Sequence, residues 1–241
     1  MATLNITPPS ERGYADSSLF VTTDWLAEHL DDPAVRILDT DLPDQYDRAH
    51  IPGAVRVTDH YYKTSLEDRT HIQGPEQFRK TIEDLGISDD TLVIGYDSSG
   101  GLYSMRLAWS LHYYGHTNVR MLDGGFPKWF AEGRPLSRQH QTYPQGSFTP
   151  RLNPEIFASR DDILKAIDDP DAILLDVRTD AEWAGENKRG TKRGGHIPTA
   201  VHLEWSNFHT GGDVPVLRNA DELRKVLADI GVTPDKNVFT Y

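Results

Sequence analysis

The sequence predicts an α/β protein of two domains, each with a mostly parallel sheet that helices cover on both faces. A length of 241 residues suffices for two domains with their own cores. Short apolar strands alternate with amphipathic helices, which is typical of a parallel sheet. The same order of helix and strand occurs twice along the chain, so the two domains are expected to be copies of one fold.

Composition and charge narrow the class of protein. Hydrophobic residues make up 37% and charged residues 26%, and no apolar run approaches the roughly 20 residues of a membrane-spanning helix. A soluble protein without membrane contact is expected. The net charge of -12 repels phosphate backbones, so nucleic acid is not an expected partner. The absence of cysteine excludes a thiol nucleophile, a thiolate metal site and a disulfide within these residues.

The first 18 residues are polar, contain Pro8 and Pro9, and lack the basic-then-apolar order of a signal peptide. Residues 1–18 are therefore predicted to be a flexible arm of a cytoplasmic protein. The first copy follows over residues 19–137, a linker over residues 138–154, and the second copy over residues 155–241.

Each copy opens with a helix and a short buried strand that ends in an aspartate. Residues 21–39 align with residues 158–176 at a shift of 137. Apolar residues at helical spacing predict the helix, and the apolar run before Asp39 and Asp176 predicts the strand. Both aspartates are expected to accept hydrogen bonds from loop N–H groups rather than to act as acids or bases.

A His-Ile-Pro turn follows the first strand in both copies. His50 precedes Ile-Pro-Gly-Ala and His196 precedes Ile-Pro-Thr-Ala, at a shift of 146. The second copy therefore carries nine extra residues, a basic and Gly-rich insertion around residues 184–193. Because a residue before proline is pushed to extended geometry, both histidines are expected to fix the turn.

A second helix, a glycine stop and a further strand close the aligned region. Residues 78–96 align with residues 223–241 at a shift of 145. Gly86 and Gly231 stand where a helix C-cap falls.

The first copy continues past Tyr96 with a loop, a helix over residues 102–114 and a strand over residues 119–122. The second copy stops at Tyr241, so a second domain without these parts is expected in this chain. Such a domain would expose an interior strand edge and apolar side chains. We therefore expect a second polypeptide, a C-terminal complementary fragment, to complete it.

Several features of the first copy together resemble the rhodanese family: Asp39, the His50 motif, the run Leu-Asp-Gly-Gly-Phe over residues 122–126, and Trp129. The second copy resembles the family from about residue 158 onward. The resemblance implies two rhodanese-like domains and a sulfurtransferase. Such an enzyme moves a sulfane sulfur from a small anionic donor, thiosulfate or 3-mercaptopyruvate, to a thiophilic acceptor through a cysteine persulfide. No metal or organic cofactor is implied.

The resemblance also implies where the nucleophile lies, because the family's cysteine opens the loop after the strand that ends each aligned region. In the first copy this position is Asp97, which cannot accept a sulfur. The first domain thus resembles the inactive half of tandem rhodaneses, with Asp97, Ser98 and Arg106 in a degenerate loop. In the second copy the position directly follows Tyr241, and no catalytic residue is expected within the chain.

Arg178 follows the strand that ends at Asp176 and matches the family's Asp-x-Arg. A guanidinium there can bind a sulfonate or carboxylate through two hydrogen bonds, so Arg178 is predicted to contact the substrate. The alternative is a structural ion pair with Asp180 or Glu182.

Glu182 occupies a predicted substrate-binding position but departs from the family's pattern. Thiosulfate-cleaving tandem members resemble Asp-x-Arg-x-x-x-Arg, with the second arginine on the substrate, and this chain has Glu182 at that place. Arg193, closest to the Gly-Gly-His turn, is predicted to bind the substrate instead. The alternative is a solvated basic loop. The insertion's cations are Lys188, Arg189, Lys192 and Arg193.

His112 and His116 have the i, i+4 spacing of a helical metal site, but no third ligand accompanies them. No metal is expected, and an interaction with the C-terminal end of a helix is the favoured interpretation.

Two other functions fit the same fold. A rhodanese-fold phosphatase would have a cysteine after Tyr241 and a longer, arginine-closed loop. A non-catalytic binding or regulatory module would have no cysteine there. The duplication with a degenerate first copy favours sulfur transfer.

Overall fold

The computed structural model describes residue 4, residues 6–57 and residues 72–241. The chain divides into two compact units. The first unit contains Met1–Asn153 and Gly212–Val216, and the second contains Pro154–Gly211 and Leu217–Tyr241. None of the helices in the described residues combines the length and the apolar character needed to traverse a bilayer.

The first unit is built on a five-stranded sheet in the order β1-β5-β4-β2-β3, and every strand pair is parallel. Its strands are β1 (Phe20–Val21), β2 (Val35–Asp39), β3 (Val55–Arg56), β4 (Leu92–Tyr96) and β5 (Val119–Leu122). Its helices are α1 (Thr23–Glu28), α2 (Pro43–Arg48), α3 (Pro75–Asp84), α4 (Ser104–Tyr113) and α5 (Gly125–Ala131).

Helices cover both faces of this sheet because neighbouring strand residues point to opposite sides. Val93 of β4 packs in one core cluster with Leu107 of α4. The next residue, Ile94, packs in the other cluster with Trp129 of α5. The central strands are buried on both faces, which explains their nearly continuous apolar sequence.

The second unit repeats three of these strands, in the order β7-β6-β8, again all parallel. β8 is an edge strand that is largely exposed, with Val238 41% accessible. The predicted α/β fold class is confirmed. The strands are β6 (Ala172–Asp176), β7 (Val201–His202) and β8 (Asn237–Thr240), and the helices are α6 (Arg160–Ala166), α7 (Asp180–Trp183) and α8 (Ala220–Ala228).

The predicted glycine stops are confirmed. Gly86 and Gly231 follow α3 and α8 with φ of 74° and 82°, a conformation that glycine adopts at little cost. The Gly86 N–H donates to the carbonyl of Glu83, which is 2.9 Å away.

The N-terminal segment is not a flexible arm where it is described. The Arg12 guanidinium donates to both carboxylate oxygens of Asp123, at 2.6 and 2.7 Å, and both side chains are buried. A buried, two-point ion pair fixes the segment because its loss would strand a charge away from water.

The segment predicted as a linker, residues 138–154, also packs differently up to Asn153. Phe148 is buried in a core cluster of the first unit with Phe78, and the Gly146 N–H donates to the carbonyl of Glu83 at 2.9 Å. The polar composition of the segment gave no sign of these contacts. Burial of the Phe148 ring stabilises the packing of the segment on the first unit.

Candidate active site

The carboxyl ends of β6 and β8 lie side by side in the second unit. The Tyr241 N–H donates to the carbonyl of Leu175, and the Val177 N–H donates to the carbonyl of Tyr241, both at 3.1 Å. Tyr241 therefore continues the parallel ladder beyond β8. Ligands of open α/β sheets bind at this edge.

Arg178 is held by Asp176 and not by the residues that the sequence suggested as alternatives. Its Nε lies 3.0 Å from Oδ1 of Asp176, and its Nη2 lies 2.5 Å from Oδ2. Nη2 also donates to the carbonyl of Gly195 at 2.9 Å. Burial by itself would raise the pKa of Asp176, but the hydrogen bonds and charge of Arg178 outweigh burial and lower that pKa.

The Asp176 carboxylate also accepts a loop N–H, from Arg178 at 3.0 Å, in agreement with its predicted structural role.

The Tyr241 side chain completes this arrangement. Its hydroxyl accepts the N–H of Ile197 at 3.0 Å and donates to Asp176. The Arg178 guanidinium lies over its ring, 5.2 Å from the centroid. Burial raises the pKa of the Tyr241 hydroxyl. Tyr241, Asp176 and Arg178 therefore hold one another in place.

Glu182 lies in α7 and is nearly buried. Thr179 caps the helix, and its hydroxyl donates to Oε2 of Glu182 at 2.8 Å. Arg189 approaches both carboxylate oxygens, with Nε 3.0 Å from Oε1 and Nη2 3.2 Å from Oε2. Burial alone would raise the pKa of Glu182, but these hydrogen bonds lower it.

The cation that reaches Glu182 is thus Arg189, while substrate binding by Arg193 stays a prediction. Arg193 is exposed in the insertion, and its carbonyl lies 2.7 Å from the Thr191 hydroxyl. Asn187 accepts the Arg189 N–H at 3.0 Å and so turns the chain back toward α7. That asparagine-initiated turn is the signal that could have identified Arg189.

Both histidines of the His-Ile-Pro turns contact the preceding helix. His196 stacks on Trp183, with ring centroids 3.5 Å apart, and its Nδ1 lies 3.0 Å from the Trp183 carbonyl. His50 stacks on Tyr46 at 3.8 Å in the same way. These contacts support the predicted role of fixing the turn.

The equivalent edge of the first unit contains two carboxylates: Asp41, which aligns with Arg178, and Asp97, which follows Tyr96, the counterpart of Tyr241. Asp97 is buried, and its Oδ1 accepts the N–H groups of Ser99 and Gly101, at 2.8 and 2.9 Å. Its Oδ2 accepts those of Tyr103 and Ser104, at 3.0 and 2.8 Å. The loop is an anion-binding cradle that the side chain of Asp97 fills.

Ser98 also belongs to this loop, and its N–H and hydroxyl donate to Asp41 at 2.9 and 2.6 Å. Arg106 does not, because it lies in α4, where its guanidinium stacks over Trp109 at 4.6 Å from the ring centroid. Asp41 has no motif of its own. The sequence signal for Asp41 is the alignment of the two copies at a shift of 137, in which Asp41 aligns with Arg178.

Asp39 has the same place in the first unit as Asp176 in the second, but its surroundings shift its pKa in the opposite direction. The Tyr96 hydroxyl donates to Oδ2 of Asp39 at 2.6 Å, and the Asp41 N–H donates to Oδ1 at 2.9 Å. Burial raises the pKa of Asp39 to about 7, and the charges of Asp41 and Asp97 act in the same direction.

His112 lies in the last turn of α4, at the helix end where the sequence analysis placed it. α4 ends at Tyr113, and His116 lies beyond it, 4% exposed. Burial lowers the pKa of both imidazoles. Among the described residues no cluster of three or more His, Cys, Asp or Glu side chains is arranged to hold a metal ion.

Comparisons with known proteins agree with this geometry. The Rhodanese-like domain family matches residues 22–132 and 159–241. The chain is 35% identical to the sulfur carrier protein TtuD of Thermus thermophilus, over 95% of this chain and 84% of that protein. A candidate thiosulfate sulfurtransferase of Haloferax volcanii is 32% identical over 96% of this chain and 84% of its own.

The crystal structure of SseA from Escherichia coli, described among 3-mercaptopyruvate sulfotransferases, superposes with a TM-score of 0.81 at 30% identity. The match covers 92% of this chain and 87% of SseA. Two matched segments, relatives above 30% identity and a shared architecture lead to one conclusion: this protein is a tandem-domain member of the rhodanese family.

Proposed function

We propose that the full-length protein is a sulfurtransferase. It moves a sulfane sulfur from thiosulfate or 3-mercaptopyruvate to a thiophilic acceptor through a cysteine persulfide. The observation that carries this proposal is the fixed edge of the second unit, where Tyr241 is tied to Asp176 and Ile197 beside Arg178. A cysteine directly after Tyr241 would start its loop beside this guanidinium.

The chemistry requires a thiolate and an anion-binding group. The thiolate attacks the outer sulfur of thiosulfate, a new S–S bond forms, the old S–S bond breaks, and sulfite leaves with the electron pair. With 3-mercaptopyruvate the C–S bond breaks instead, and the carbon takes up a proton to give pyruvate. Attack of cyanide on the terminal sulfur then releases thiocyanate and restores the thiolate.

Arg178 is suited to bind the donor's sulfonate or carboxylate. Asp176 occupies its Nε and Nη2, which fixes the plane of the guanidinium. A preorganised fork of this kind loses little conformational freedom when the anion arrives. The first unit has Asp41 at the corresponding place and Asp97 in the loop, so it repels an anionic donor and has no sulfur acceptor.

The names of the relatives support the same activity, since TtuD is a sulfur carrier and SseA belongs to the 3-mercaptopyruvate sulfotransferases.

The test is incubation of the full-length protein with each donor and cyanide. We expect thiocyanate, and without cyanide a protein mass increased by one sulfur atom. Replacement of the cysteine after Tyr241 by serine should abolish both signals. Absence of thiocyanate and of the added sulfur in the unsubstituted protein would favour a binding module, and hydrolysis of a phosphate ester would favour a phosphatase.

A further inference from the structure

Two ion pairs lie at the carboxyl end of β6 and in the chain that follows it. Their four side chains alternate in charge along the sequence: Asp176, Arg178, Glu182 and Arg189. Asp176 pairs with Arg178, and Glu182 pairs with Arg189. Both carboxylates are nearly buried, with side-chain exposures of 0% and 7%. The charges of this four-residue cluster sum to zero.

Arg178 has few N–H groups left to bind an anionic sulfur donor. Its Nε and Nη2 are engaged by Asp176 and Gly195, and Nη1 has no hydrogen-bond partner among the described residues. The side chain is 31% exposed. The guanidinium can therefore offer Nη1 to one oxygen of an incoming anion.

Glu182 opposes any further negative charge at Arg178. Its Oε2 accepts a hydrogen bond at 2.8 Å from the hydroxyl of Thr179, the residue after Arg178. The charge of Glu182 also contributes to the raised pKa of Arg178, after the hydrogen bond that Arg178 donates to Asp176. A dianion bound at Arg178 would feel this carboxylate more strongly than a monoanion would, because Coulomb energy scales with the product of charges.

The positive charge of Arg189 compensates the negative charge of Glu182. The backbone of Arg189 adopts an unfavourable conformation at this place. Its φ is 44°, in the left-handed region that non-glycine residues avoid. The neck of the insertion is closed by glycines, since a Cβ on Gly194 would lie 2.6 Å from the Gly185 carbonyl oxygen. The insertion thus folds so that Arg189 meets Glu182.

We propose that the Glu182–Arg189 pair determines donor specificity: it keeps the cluster neutral and so favours a sulfur donor with one negative charge, such as 3-mercaptopyruvate, over doubly charged thiosulfate. The proposal rests on the proposed function. Glu182 and Arg189 act on the donor through the field at Arg178 and are specificity residues without a role in bond breaking.

The test is the ratio of kcat/KM for thiosulfate to kcat/KM for 3-mercaptopyruvate in the full-length protein. Glu182→Gln gives the cluster a charge of +1 and should raise this ratio about tenfold. Arg189→Gln gives it a charge of -1 and should lower the ratio by a similar factor. The double variant restores neutrality and should return the ratio to that of the unsubstituted protein.

Restoration by the double variant is a result that a merely structural role does not produce. Arg224→Gln is the matched control, because it breaks an exposed ion pair with Asp221 in the same unit and should leave the ratio unchanged. The Arg189 side chain is 68% exposed, so Arg189→Gln tests the proposal even if Glu182→Gln fails to fold.

The two proposals fail in different ways. If neither donor yields thiocyanate with the unsubstituted protein, the proposed function is wrong. If both donors react and the ratio is the same in Arg189→Gln as in the unsubstituted protein, the charge-selection proposal is overturned and sulfur transfer stands.

Discussion

The two units share one backbone arrangement at the carboxyl ends of β2 and β6, but the charges beside these ends have opposite signs. In each unit a tyrosine hydroxyl accepts the N–H of the isoleucine after the histidine and donates to the aspartate that ends the strand. Two residues further on, the first unit has Asp41 and the second has Arg178. Burial raises the pKa of Asp39, whereas Arg178 lowers that of Asp176 against the same effect of burial.

The difference shows that the residue two positions after the strand-ending aspartate sets the sign of the neighbouring charge, which is negative at Asp41 and positive at Arg178. In the first unit Asp97 fills the loop cradle and Asp41 adds a second negative charge. In the second unit the guanidinium of Arg178 compensates the buried Asp176, and the Arg178 side chain is 31% exposed. Four predictions test this comparison.

The largest effect is expected for Asp97→Ala in the first unit. It leaves four loop N–H groups without their acceptor, one of them buried and three part-buried, and an unsatisfied donor away from water is costly. The opening free energy of β4, measured by hydrogen exchange, should fall by about 4 kcal/mol. Asp90→Ala removes an exposed carboxylate from the same unit and should change it by less than about 0.5 kcal/mol. Equal effects of both substitutions would mean that Asp97 does not hold the loop.

Arg178→Ala should be the most damaging single change in the second unit. It strands the buried Asp176 carboxylate, which costs about 3 kcal/mol in the exchange of β6 amides. The double variant Asp176→Asn/Arg178→Ala removes the stranded charge and should recover part of the loss. No recovery would show that Arg178 stabilises the edge by packing on Tyr241 and not by its charge.

The pH dependence of the first unit should follow Asp39. Its pKa is raised in the folded state to about 7 from 3.8, so the folded state binds more protons, and this contribution to stability is lost as pH rises. Between about pH 5 and pH 8 the loss is about 2.5 kcal/mol.

Asp39→Asn should remove this slope, and the difference between the two stability curves isolates Asp39 from His112 and His116. Asp176 has a lowered pKa and stabilises the second unit in the opposite sense, with a contribution lost only as pH falls below about 4. Parallel curves for Asp39→Asn and the unsubstituted protein would contradict the raised pKa.

The smallest effect concerns the turn after each histidine. Thr199 has φ of 66°, where the first copy has Gly53 at 79°. Thr199→Gly should stabilise β7 in the second unit by about 1 kcal/mol, because it relieves the left-handed strain of a β-branched residue. The reciprocal Gly53→Thr should destabilise β3 in hydrogen exchange by a similar amount. The same sign for both substitutions would refute the strain argument.

Local patterns predicted much of the architecture. The duplicated sequence fixed the positions of β2, β4, β6 and β8 to within about two residues, since apolar runs and glycine stops depend on neighbours in the chain. The position of Arg178 directly beyond a buried strand was also predicted, and its contact with the substrate stays a prediction. Arg106 lies in α4, within the helix predicted over residues 102–114, and not in the degenerate loop to which the resemblance assigned it.

What the sequence by itself determined is the repeat, the strand and helix order, and the absence of a thiol within 241 residues. Only the tertiary structure decided that Arg12 meets Asp123, that Asp97 fills its own loop, and that Arg189 pairs with Glu182. Periodicity records which face of an element is buried. Which charge lies beside which depends on chain segments that only folding brings within a few ångströms, where Coulomb energies and hydrogen bonds act.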